Sequence, residues 1–150
     1  MITKLRDNLY IGNWESGRAT DREYRAMGVT AVLNVAFELS DAENTPDIVK
    51  MIKVGLMDNK DNPPEMKQLA VDVAKRLLEN GDTVIIHCNA GMSRSMYTCV
   101  MAISEIEGVD HHEIWNEFKQ KHPFAMWGPL FEGANARYYP DAEEHEEKKP

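Results

Sequence analysis

A chain of 150 residues can bury a sizeable core yet has little room for a second domain, so a single globular unit is expected. With 25 acidic against 17 basic residues and a formal net charge of -8, it lacks the basic footprint of a nucleic-acid or membrane-surface binder, and neither partner is expected. The two cysteines, Cys88 and Cys99, argue against a disulfide scaffold and for a reducing, cytoplasmic setting, and the sequence has neither a secretory signal nor a run approaching the ~20 apolar residues that cross a bilayer.

Taken in chain order, "LYIGNW" (Leu9 to Trp14) has the character of a short strand. In "TDREYRAMG", Thr20 and Glu23 stand in capping-box spacing and Gly28 supplies a stop, which predicts a helix. "TAVLNVAF" (Thr30 to Phe37) is a buried strand. The acidic stretch "ELSDAENTPD" that follows is expected as solvated surface, and "IVKMIKVGL" carries a further strand to about Met57. Asn62 as N-cap, Pro63 in the first turn and Glu65 as capping acid open the best-marked helix. Its apolar positions Met66, Leu69, Ala70, Val73 and Leu77 recur at helical spacing until Gly81. "DTVIIHC" is an apolar strand, and the helix that begins at about Arg94 is apolar nearly all round from Ser95 to Ile106, as suits the middle of a small domain. Asp110 and Glu113 cap another helix to about Gln120, and Pro129 opens a last one. The acidic end "DAEEHEEKKP" (141–150) reads as a disordered tail, leaving 1–140 as the domain. Strands alternating with helices imply an α/β fold, with helices flanking a central, mostly parallel sheet and ligands bound beyond the carboxyl ends of the strands.

One such end carries chemistry. A strand ends at Cys88, a loop of Asn89, Ala90, Gly91, Met92 and Ser93 follows, and a helix opens at Arg94. Such a loop can curl so that its N–H groups point inward, with Gly91 free to adopt conformations that other residues resist. The result is an anion cradle at a helix N-terminus. A thiol of ordinary pKa ~8.5 is mostly protonated at neutral pH, but cationic or helix-terminal surroundings lower it to roughly 3.5–7.5, which predicts that Cys88 is an anionic nucleophile. Arg94 offers a planar fork that matches two oxygens of a tetrahedral phosphate. Nucleophile and clamp converge on phosphorus.

The stretch "HCNAGMSRS" fits the His-Cys-x-x-Gly-x-x-Arg-Ser/Thr signature of the cysteine-dependent protein phosphatases, and its Ala-Gly-x-Ser-Arg-Ser pattern resembles the dual-specificity branch. "LYIGNW", "GVTAVLNVAF" and "HPFAMWGPLF" are similar to segments of small dual-specificity phosphatases and occur in the same order. The resemblance implies that family's three-layer sandwich. It also implies hydrolysis, without metal or other cofactor, of phosphomonoesters on phosphorylated proteins or peptides, on tyrosine and also on serine or threonine, through a cysteinyl-phosphate. In that scheme Cys88 attacks phosphorus, Arg94 and the loop amides from Asn89 to Arg94 hold the equatorial oxygens, and Ser95 assists departure of the thiolate. His87 fixes the surroundings of the cysteine, and Asn34 resembles a family asparagine that braces the loop. The family places its general acid after a strand some thirty residues before the cysteine, where Asp58 and Asp61 both stand. Asp58 directly follows the apolar strand and is preferred, because the helix dipole already accounts for Asp61.

Other readings stay open from sequence alone. The same chemistry could serve a phosphoinositide, a nucleotide or an RNA 5′-phosphate, although the loop lacks the lysines that would favour a polyanion. A silent phosphate-binding module is opposed by the intact pair of Cys88 and Arg94, and a sulfurtransferase by a loop one residue too long. Cys99 is expected as a buried structural thiol, His111 and His112 as helix-start residues without enough partners for a metal site, and Trp14 as core or rim. The acidic stretch, if it borders the site, would discourage strongly acidic substrates.

Overall fold

The computed structural model describes residues 1–40, 48–59 and 61–132. Among the described residues five strands form one sheet: β1 (Ile2–Arg6), β2 (Leu9–Gly12), β3 (Ala31–Ala36), β4 (Lys50–Leu56) and β5 (Val84–His87), in spatial order β1-β2-β5-β3-β4. β5 runs parallel to both neighbours, pairing Gly12 and Asn34 with His87, and β3 runs parallel to β4. Only β1 is antiparallel, closing a hairpin with β2 through Ile2–Gly12 and Arg6–Leu9 pairs. The hairpin strand β1 is absent from the sequence reading. It buries only Leu5 and forms because β2 offers it an edge, so its own residues carry little apolar signal.

The α-helices among the described residues are α1 (Asp21–Met27), α2 (Pro64–Glu79), α3 (Arg94–Glu107) and α4 (His111–Lys121). Alternate residues along the strands face opposite layers, as the two-residue strand period requires. Val32 and Ile85 meet Tyr24 of α1 on one face. Leu33, Val35, Val84 and Ile86 pack on the other against α2, α3 and α4, among them Leu77, Val100 and Trp115. The result is the three-layer sandwich, with β5 at its centre and buried along its whole length. Among the described residues no helix is long and apolar enough to cross a membrane.

Local signals hold at α1, where the Thr20 hydroxyl accepts from the Glu23 N–H at 3.1 Å and Gly28 takes φ 71°. At α2 the expected cap is corrected. Pro63 occupies the N-cap position without a side-chain bond, while Asn62 turns inward, accepting from the Met57 N–H (2.7 Å) and donating to the carbonyls of Met57 (2.6 Å) and Asn59 (3.0 Å). These three bonds satisfy more backbone groups than one cap bond would, and they tie down the chain on either side of Asp58. The helix expected at Pro129 is a single 3₁₀ turn, Pro129–Phe131, and another such turn, Trp14–Arg18, follows β2. The expected boundary near 140, the tail and most of the acidic stretch (41–47) lie outside the described residues.

Because Ile86 is fully buried directly before the Cys88 loop, Ile86→Ala is expected to lower stability by about 2–5 kcal/mol. Urea denaturation would read this as a lower midpoint at unchanged slope.

Candidate active site

β5 delivers Cys88, 2% exposed, to the carboxyl edge of the sheet. A cleft of about 510 Å³ opens above it. Its walls contain the predicted residues Asn89, Ala90, Met92, Ser93 and Arg94, together with Asp58, Glu38, Met126, Gly128 and Pro129. Asp61 is exposed and lies outside the wall. The Ser95 hydroxyl, buried in the first turn of α3, is 3.2 Å from the Cys88 sulfur.

The curl of the loop is built from outside. Asn89 O accepts from the Trp14 N–H (3.0 Å), Met92 O from the Met126 N–H (2.8 Å), and Gly91 O from Nε2 of His122 (2.7 Å). In a planar trans peptide the carbonyl and the next N–H point in opposite directions. Holding these carbonyls away from the cleft therefore turns the N–H groups of Ala90, Met92 and Ser93 towards it. Gly91 sits at φ 74°, and a Cβ there would lie 2.5 Å from Met1 Cε and 2.9 Å from Gly12 O, so both conformation and space require glycine. α3 has no side-chain cap and no acidic residue in its first turn, leaving its N-terminal donors for an anion.

Arg94 is almost wholly buried, with 6% of its side chain exposed, against 47% for Glu38. The two form a bidentate pair, Nη1 to Oε1 at 2.6 Å and Nη2 to Oε2 at 2.7 Å, while Nη1 also donates to Leu56 O at 2.9 Å. Glu38 therefore takes the terminal fork that the sequence reading assigned to phosphate. Among the described residues nothing bonds Nε, so the Nε–Nη2 edge is the face left for an oxyanion. The hydrogen bond from Arg94 holds the Glu38 carboxyl down at about 2, against the opposing effect of burial. Glu38 raises the pKa of Arg94 in return. Glu38, the first residue of the acidic stretch, is exposed and borders the cleft, the alternative that the sequence reading left open. The signal for it was position: a carboxylate two residues past a parallel strand, on the sheet edge where ligands bind.

The supporting residues take definite places. Buried Asn34 donates to Leu39 O (2.7 Å) and accepts from the Ala36 N–H (2.9 Å), fixing the turn that presents Glu38. The His87 ring packs against Gly17, where a Cβ would lie 2.7 Å from Nε2. Cys99 is fully buried, and burial pushes its thiol well up. Trp14 is 44% exposed and serves the loop through its backbone N–H. Asp110, His111 and His112 bring ligand atoms within 4.8 Å of one another. Asp110 Oδ1, however, accepts the His112 N–H at 2.8 Å as the cap of α4, the end of a helix whose dipole repels cations. None of the three lines the cleft.

A cysteine-to-arginine loop joining the central parallel strand to a buried helix is the architecture of the cysteine-based phosphatases. The dual specificity phosphatase catalytic domain family matches residues 9–132, and the chain belongs to that family. It is 26% identical over 122 residues to dual specificity protein phosphatase 1 of Arabidopsis thaliana, covering 81% of this chain and 60% of that one. It is 30% identical over 124 residues to human dual specificity protein phosphatase 5, covering 82% and 31%. The chain thus spans less than two thirds of these relatives. In fold it is similar to the crystal structure of human DUSP28, with a TM-score of 0.79, 16% identity, and coverage of 97% and 99%.

Glu38→Ala is expected to lower kcat/KM on an aryl phosphate by roughly 10–100-fold, the worth of a charged hydrogen bond that orients Arg94. With the Glu38 carboxyl held at about 2, the ion pair is intact above that pH and is lost only as pH falls through it. Titration of Glu38 followed by carboxyl NMR should therefore show no transition under mildly acidic assay conditions.

Proposed function

We propose that this chain is a cysteine-dependent phosphatase that removes phosphate from proteins, with phosphotyrosine as the favoured ester. The observation that carries this reading is the gathering of Cys88, the buried Arg94 and Asp58 around one cleft, with the Ser95 hydroxyl buried behind it 3.2 Å from the Cys88 sulfur. Cys88 attacks phosphorus in line, and Asp58 gives the leaving oxygen its proton. The N–H groups turned inward by the loop and the Nε–Nη2 edge of Arg94 hold the three equatorial oxygens as charge builds on them. In the second step Asp58 takes a proton from the attacking water, and the Ser95 hydroxyl donates to the departing sulfur. Each role is filled by a side chain or amide of the chain, so the reaction as proposed calls on no cofactor. The free cysteines fit a reducing, cytoplasmic setting.

Substrate preference follows from the walls. Met92, Met126 and Pro129 offer apolar surface to an aromatic ring, while Glu38 and Asp58 put carboxylates at the same cleft. The loop contributes no lysine. A singly phosphorylated side chain suits this site better than a polyphosphorylated lipid or an RNA end.

Hydrolysis of p-nitrophenyl phosphate at about pH 6 in EDTA is expected for the wild type and should vanish in Cys88→Ser. Asp58→Asn should lower kcat by roughly 10²–10⁴-fold and remove the basic limb of the pH profile, with Asp61→Asn near wild type. The reverse ranking would move the acid by three residues. Phosphotyrosyl peptides should outrun phosphoseryl peptides and phosphoinositide vesicles. Fastest turnover of vesicles would overturn the protein-substrate reading while leaving the chemistry intact.

A further inference from the structure

Behind the loop lies a side chain that the proposed reaction does not use. His122 follows the last turn of α4 and is 0% exposed. Its Nε2 lies 2.7 Å from Gly91 O, and its Nδ1 lies 2.8 Å from the Thr3 hydroxyl of β1. A carbonyl oxygen can only accept, so Nε2 carries the hydrogen and donates. The Thr3 hydroxyl, which can donate or accept, bonds the ring at Nδ1 and so ties its plane to the sheet's edge strand. The ring is held at its own backbone too: the His122 N–H donates to Phe118 O at 2.8 Å, and His122 O accepts from the Ala125 N–H at 3.1 Å.

The three outward carbonyls of the loop are not anchored alike. Asn89 O and Met92 O rest on main-chain N–H groups, which most substitutions leave in place. Gly91 O rests on a side chain. Gly91 is also the loop residue with the freest backbone, at φ 74° and without a Cβ. The peptide that follows it is therefore the one whose orientation most needs a fixed partner. If that plane turned, the Met92 N–H would leave the cleft and a carbonyl oxygen would approach the phosphate.

We propose that His122 is a positioning residue for the oxyanion cradle. Its Nε2–H holds the Gly91 carbonyl outward so that the Met92 N–H meets the equatorial oxygens, and Thr3 fixes the plane of the ring from its other nitrogen. The proposal rests on the reading of 88–94 as a phosphate cradle. It predicts a defect in holding transferred phosphorus rather than in general binding, because the amide matters most where charge is greatest.

The test uses wild type, His122→Leu, His122→Gln and Thr3→Val. For each, vanadate inhibition, kcat and KM on p-nitrophenyl phosphate, and the melting temperature would be measured. His122→Leu should weaken vanadate about 10–100-fold and lower kcat far more than it changes KM, a partial loss of one oxyanion donor. Thr3→Val conserves shape and lies outside the cleft, and should weaken vanadate by about 3–10-fold through the loss of the ring's second anchor. His122→Gln keeps an Nε2 amide donor and should recover most of the loss. Unchanged vanadate affinity and kcat in a folded His122→Leu would overturn the proposal, as would a lower melting temperature with both constants intact. If that variant does not fold, Thr3→Val decides, and unchanged vanadate affinity there overturns it equally. A wild type that binds no vanadate would instead remove the cradle reading, and the role of His122 with it.

Discussion

Amides that converge on one point force their carbonyls to diverge, and every diverging carbonyl needs a donor from somewhere else. Much of this fold can be understood as the supply of those donors. The 3₁₀ turn after β2 brings the Trp14 N–H to Asn89, the segment after α4 brings the Met126 N–H to Met92, and the His122 ring reaches Gly91. These donors are 75, 34 and 31 positions from their acceptors in sequence. A five-residue loop thus draws together the turn after the N-terminal hairpin and the segment after α4. The order of strands makes this feasible, since β2 lies directly beside β5.

Electrostatics adds a second demand. The loop must attract an anion, yet the guanidinium that does so is buried, and a buried charge without a partner is costly. Glu38 resolves this by pairing with the terminal fork of Arg94, leaving the Nε–Nη2 edge towards the cleft. The pairing also fixes the plane of the guanidinium, which a single carbonyl such as Leu56 O could not do. It places a negative charge at the edge of an anion site in a chain already at -8.

Much of the architecture was legible because the layers write their own patterns. Buried parallel strands such as 31–36 and 84–87 are continuous apolar runs, and α2 repeats its apolar face until Gly81. The misses have a common character. β1 exists because a partner edge exists, Asn62 abandons a local cap for a buried turn, and Pro129 opens one turn because the chain beyond Phe131 leaves helical geometry at Glu132. At β1 a partner strand, and at Asn62 the backbone of the preceding turn, outweighed the local preference.

By itself the sequence determined the spacing of the proposed reacting loop. Cys88, Gly91, Arg94 and Ser95 must stand at fixed short spacing because one strand end, one turn and one helix start set their separation, and local geometry needs no partner to be read. Tertiary structure alone decided what orients them. Glu38 lies 56 positions from Arg94, and Thr3 lies 119 positions from His122. Hydrogen bonds over such distances leave no period or spacing in the chain. They come into being only when the sheet brings its carboxyl ends to one edge and the helices close behind it.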